Sequence, residues 1–107
     1  MKKFVLTLDL KDDPELIRKY EEYHENVWPE VKDCLTESGI INLEIYRFNT
    51  RMCMILETTD NFTFEGKEKI DKANQVVQKW EKLMWEFQSP VPGSRPGEKW
   101  VEMKRIY

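Results

Sequence analysis

Two apolar runs separated by three turn-forming residues constrain this chain more than anything else in it. Ile40–Phe48 alternates, with Ile41, Leu43 and Ile45 against Asn42, Glu44 and Tyr46, the period of a strand with two different faces. Asn49-Thr50-Arg51 is a short turn, and Met52–Glu57 is a second run of strand-formers, so the pair reads as a β-hairpin. Upstream, Phe4–Leu10 is rich in β-formers and reads as a first strand. Between it and the hairpin lies a helix start, with Asp13 as N-cap, Pro14 at the first helical position and Glu15 near the positive end of the dipole. Leu16, Ile17, Tyr20, Tyr23 and Val27 follow at helical spacing. Pro29 disturbs that helix, Val31, Cys34 and Leu35 continue its apolar face, and Gly39 closes it as a left-handed cap.

Thr58–Glu65 is a polar connection. A second helix in two pieces carries the stripe Val76, Val77, Trp80, Leu83, Met84 and Phe87. Gln88–Gly97 is a loop rich in proline and glycine, and Trp100–Tyr107 reads as the last strand. The order is β-α-β-β-α-β, a ferredoxin-like plait of class α+β with both helices on one face of an antiparallel sheet. The 107 residues fit one domain, 1–107, and leave nothing to cover the other face. Yet adjacent strand residues, which point to opposite faces, are both large: Val5 and Leu6, Ile45 and Tyr46. Pairing two sheets face to face as a homodimer, a dimeric α/β barrel, is the economical solution.

Charge narrows the partners. The net charge is −3 with acids and bases interleaved, so no basic patch marks a nucleic-acid surface. The N-terminus has only a short apolar run before acids appear, unlike a signal peptide, and no stretch is long enough to span a bilayer. Cys34 and Cys53 match no metal or redox spacing and read as two reduced, partly buried thiols of a cytoplasmic protein.

The chemistry concentrates in Tyr20-Glu-Glu-Tyr-His24-Glu-Asn-Val-Trp28-Pro29-Glu30, which holds the only histidine. Tyr20 and His24 are four apart and share a helix face. An imidazole titrates near neutrality and suits acid/base work, while Trp28-Pro29 makes the backbone irregular just after it. A histidine merely satisfied at a helix edge is the plainer alternative. One histidine with Glu21 and Glu25 beside it is not a metal set, and no Gly-x-Ser-x-Gly supports a serine nucleophile. Trp80 is either core or a stacking platform; Trp85, off the apolar stripe, is a dimer contact or a lid. Glu81 either lines the cavity of its neighbour Trp80 or is solvated. Asp71 and Asn74 read as caps at the helix break. Arg95, in a loop placed to cover a pocket mouth, either meets a polar ligand or is solvated.

Tyr20-x-x-x-His24-x-x-x-Trp28-Pro29-Glu30, Gly39 with Asn42 and Ile45-Tyr46, and Trp80 after Val77-Gln-Lys resemble the L-rhamnose mutarotase family over nearly the whole chain. The resemblance implies a ferredoxin-like dimer that interconverts the α and β anomers of a free 6-deoxy sugar without metal or cofactor. It implies His24 as the catalytic acid/base, with Tyr20, Trp28, Tyr46 and Trp80 around the sugar. Leu43 and Glu81 stand where rhamnose enzymes carry a tyrosine and a second tryptophan, positions that the resemblance places against the sugar. Thr7–Pro14, Trp80-Glu-x-Leu-Met and Pro92–Trp100 resemble a branch associated with L-fucose. Two rivals share the architecture: a ligand-sensing domain without turnover, and a cofactor-free monooxygenase.

Overall fold

A computed structural model describes residues 1–107. Strand β1 is Lys2–Leu10, helix α1 Pro14–Glu25, helix α2 Pro29–Glu37, strand β2 Ile40–Phe48 and strand β3 Arg51–Thr58. Helices α3, Phe64–Ala73, and α4, Gln75–Trp85, follow, then the two-residue strands β4, Gln88–Ser89, and β5, Val101–Glu102. The antiparallel sheet runs β2-β3-β1-β4, with β5 also pairing β1. This is the ferredoxin-like α+β order, with each of its two helical steps split in two.

The splits have local causes. Asp13 caps α1 by accepting from the backbone N–H of Glu15 and Leu16. α1 stops at Glu25 because Pro29 cannot continue it, and α2 starts on that proline, whose missing N–H would have had no partner anyway. Asn74 ends α3 and caps α4, accepting from Val76 and Val77. Asp71 is not a cap: it is buried and ion-paired to Lys67 one turn earlier. Gly39 has φ +97°, and a Cβ there would meet the Thr59 hydroxyl at 2.8 Å, so the turn into β2 needs glycine twice over.

Partner residues in the register share a face. Leu43 and Ile45 of β2, Met52, Met54 and Leu56 of β3, and Leu6, Leu8 and Leu10 of β1 lie under the helices. Leu8 is fully buried there with Tyr20, Val77, Trp80, Met84 and Phe87 in one core. Burying a side chain of that size contributes about 2–3 kcal/mol. Leu43 belongs to a second cluster with Leu6, Ile40, Leu56 and Phe62.

The strands depart from the sequence reading in three places. A β-bulge lies between Ile40 and Asn42, so Ile40 takes the core position and Ile41 is 61% exposed rather than aligned with Leu43 and Ile45. Arg51 already pairs with Phe48, leaving a two-residue turn with Asn49 at φ 53°. The last strand is not Trp100–Tyr107: only Val101–Glu102 pairs with β1, and Gln88–Ser89, expected in the loop, supplies the rest of that edge. Pro90, Pro92 and Pro96 have no N–H to donate, which keeps the chain between them out of the ladder.

Cys34 is in the core beneath the helices, whereas Cys53 pairs with Thr7 and Tyr46 on the opposite sheet face, so the two thiols cannot meet. No helix is long and apolar enough to cross a membrane.

Candidate active site

α1 carries Tyr20, Glu21, His24 and Glu25 over the exposed end of the hairpin. Together with Ile45, Tyr46, Arg47 and Met52 they line a cavity of about 420 Å³. The restart at Pro29 places His24 in the last turn of α1, and α4 brings Trp80 behind it. The imidazole lies 4.4 Å from the Tyr20 ring and 5.7 Å from the Trp80 ring, centroid to centroid. Trp28 meets Trp80 edge-on at 5.1 Å, and Tyr23 does so at 6.3 Å.

His24 Nδ1 is 2.8 Å from the carbonyl oxygen of Tyr20. A carbonyl only accepts, so Nδ1 carries the hydrogen and Nε2 is the acceptor of the neutral ring. Burial holds the His24 pKa below the ordinary histidine value, and the bond to Tyr20 offsets part of that depression. The ring is therefore neutral at pH 7 in one tautomer, as a general base requires. Tyr20 is 4% exposed, and burial pushes its hydroxyl up to about 12. Its oxygen accepts from Gln88 Nε2 at 3.1 Å.

The structure thus brings Tyr20, His24, Trp28 and Trp80 together. Trp80 is only 8% exposed and belongs to the core behind the histidine; neither it nor Trp28 is among the residues that line the cavity. Tyr46 helps line the cavity, but its hydroxyl donates to Glu44 at 2.9 Å. Leu43 and Glu81 are not among the lining residues; Glu81 is half-buried on α4, with Gln78 Nε2 at 3.5 Å. Trp85 packs against the core with the Lys99 ammonium over its ring, 5.3 Å from the centroid. Arg95 is exposed and lies 4.0 Å from Glu98, and the proline loop does not line the cavity.

Four polar residues were missed. Glu21, Glu25 and Arg47 line the cavity, and Glu21 and Arg47 form an ion pair of 2.6 Å; Gln88 holds Tyr20 from beneath. Arg47 had a signal: the alternation that points Leu43 and Ile45 under the helices points residue 47 there too. Gln88 had none, because it stood in what read as a loop.

The L-rhamnose mutarotase family model matches residues 3–107. An L-fucose mutarotase from Xanthomonas campestris pv. campestris is 42% identical, over all of this chain and 87% of that protein. Among solved structures, an L-rhamnose mutarotase from Formosa agariphila superposes with a TM-score of 0.71 at 16% identity, covering 100% of this chain and 97% of that one. A dimeric ferredoxin-like protein from an uncultured marine organism gives a TM-score of 0.56 at 11% identity, covering 98% and 89%. These two likenesses concern the fold. The match along the chain, with an imidazole held neutral in a cavity beside Tyr20, places the protein: it belongs to the L-rhamnose mutarotase family and is a sugar mutarotase, an isomerase.

Proposed function

We propose that this chain is a cytoplasmic homodimer that interconverts the α and β anomers of L-fucose, with His24 as its catalytic acid/base. The fixed tautomer of His24 in the cavity carries the reading. Nε2 takes the proton of the anomeric hydroxyl as the bond from C1 to the ring oxygen breaks, and the ring oxygen takes a proton from solvent. The open chain is an aldehyde; it rotates about C1–C2 and closes on the other face, with both protons returned. Tyr20 positions His24 through its carbonyl, Ile45 and Met52 give the cavity its apolar side, and Trp80 and Trp28 pack behind the imidazole.

The 42% identity to an L-fucose mutarotase supports that sugar over L-rhamnose. Leu43 and Glu81 replace aromatic groups of the rhamnose pattern, but neither lines the cavity, so the choice of sugar rests on the identity along the chain. Large exposed side chains on the outer sheet face support the dimer, and two thiols on opposite faces fit a reducing compartment.

Saturation transfer between the anomer signals of 6-deoxy sugars tests the reading. L-Fucose is expected to exchange faster than L-rhamnose. His24→Ala is expected to remove ~10²–10⁴-fold of the exchange with the fold intact, the usual contribution of general acid/base catalysis. Wild-type exchange by His24→Ala would return the residue to a packing role.

A further inference from the structure

The cavity beside His24 contains a charged pair that this reaction leaves unused. Arg47 lies on the face of β2 that the helices cover, in the row of Leu43 and Ile45 and opposite Met52. An aliphatic side chain there would continue the row, so a cation needs a reason. Arg47 Nε donates to Glu21 Oε1 at 2.6 Å, and one terminal nitrogen donates to the Asn49 carbonyl at 2.8 Å. A guanidinium has five N–H groups, so three have no protein acceptor, and the second oxygen of Glu21 has no donor. The Arg47 side chain is 35% exposed and that of Glu21 54%, and both line the cavity with His24.

The other side-chain ion pairs are local. Arg18 with Glu15 and Glu22, Lys67 with Asp71, and Lys72 with Glu68 lie within single helices, Arg95–Glu98 spans one loop turn, and Arg51–Asp9 joins paired strands. Arg47–Glu21 alone ties the helix layer to the sheet, and it does so in the cavity wall. A solvent-exposed pair contributes little to stability, so stability is a weak reason for it.

We propose that Arg47 and Glu21 together recognise ring hydroxyls of the sugar. A vicinal diol offers hydrogens and lone pairs side by side; the carboxylate takes the first and the planar fork supplies the second. The pair selects among sugars by hydroxyl orientation while His24 acts at the anomeric carbon. This rests on the mutarotase reading, and it makes Arg47 and Glu21 binding residues rather than a clasp.

The test pairs L-fucose affinity, followed by tryptophan fluorescence, with anomer exchange and thermal melting. Arg47→Met is expected to raise the dissociation constant about tenfold, the weight of one charge-assisted hydrogen bond, with Glu21→Gln moving it the same way. The exchanged pair, Glu21→Arg with Arg47→Glu, keeps the ion pair but transposes donor and acceptor; it should regain the melting temperature of wild type and not its affinity. Wild-type affinity in Arg47→Met, or affinity regained by the exchanged pair, overturns the proposal. A wild-type protein that binds L-fucose through Arg47 but exchanges no anomers would overturn the mutarotase reading and uphold this one.

Discussion

The two faces of one sheet make opposite surfaces from the same strands. Beneath the helices, Leu8, Met52 and Leu56 are at most 2% exposed. On the outer face, Tyr46, next to Ile45, is 55% exposed, and Phe48, next to Arg47, is 85% exposed. The alternation that fills a core on one side lays out an apolar surface on the other. The helix side is completed by the chain itself and there holds the cavity of His24. In the proposed dimer a second molecule covers the outer side.

The largest expected effect contrasts the faces directly. Leu8→Ala should cost about 2–5 kcal/mol of folding stability, since it opens a cavity in a core with no exposure. Phe48→Ala should stay within about 0.5 kcal/mol at concentrations where the chain is monomeric. Chemical denaturation at several protein concentrations separates folding from association. Equal losses for the two variants would erase the distinction.

Next in size is association. Phe48→Lys with Ile55→Lys puts like charges on the outer face, away from the lining of the cavity. In a two-fold interface each charge meets its own copies, so the dissociation constant should rise at least ~100-fold, as like-charge contacts cost several kcal/mol. Sedimentation would then fall from about twice 13.0 kDa to 13.0 kDa. A wild-type protein that sediments as a monomer at micromolar concentration would end the argument for a completed outer face.

Much of this was legible in the sequence where one residue type has one physical consequence. Pro14, Pro29 and Gly39 set helix ends through φ and the missing N–H, Tyr20 and His24 met because helical period aligned them, and the apolar stripe of α4 marked Trp80 as facing the core. What was not legible depended on pairing. The bulge that substitutes Ile40 for Ile41 in the core is a property of β2 against β3. β4 exists only because β1 has a free edge at Asp9 and Leu10. The polar lining was missed for a related reason: Glu21 on a helix reads as solvated, and only the fold brings it to Arg47, 26 residues later.

The smallest expected effect is a displacement on the pH axis, and it sharpens the account of the helix-side face. His24 is half-buried with its pKa lowered chiefly by that burial, whereas the unfolded chain titrates at the ordinary value near 6.5. Between the two, the unfolded state binds more protons, so stability rises with pH across that window. The contribution of a neutral His24 is complete above about 6.5 and is lost as pH falls through the folded pKa. Activity follows the folded enzyme: a general base must be unprotonated, so the acid limb of kcat/KM should have its midpoint below 6.5 and the rate should be flat above it. Anomer exchange measured from pH 4.5 to 8, each point corrected for the uncatalysed rate, reads that midpoint. An acid limb centred above 6.5 would mean that burial beside Trp80 is not what sets the basicity of the imidazole, and a rate that falls as pH rises would mean that it works in its charged form.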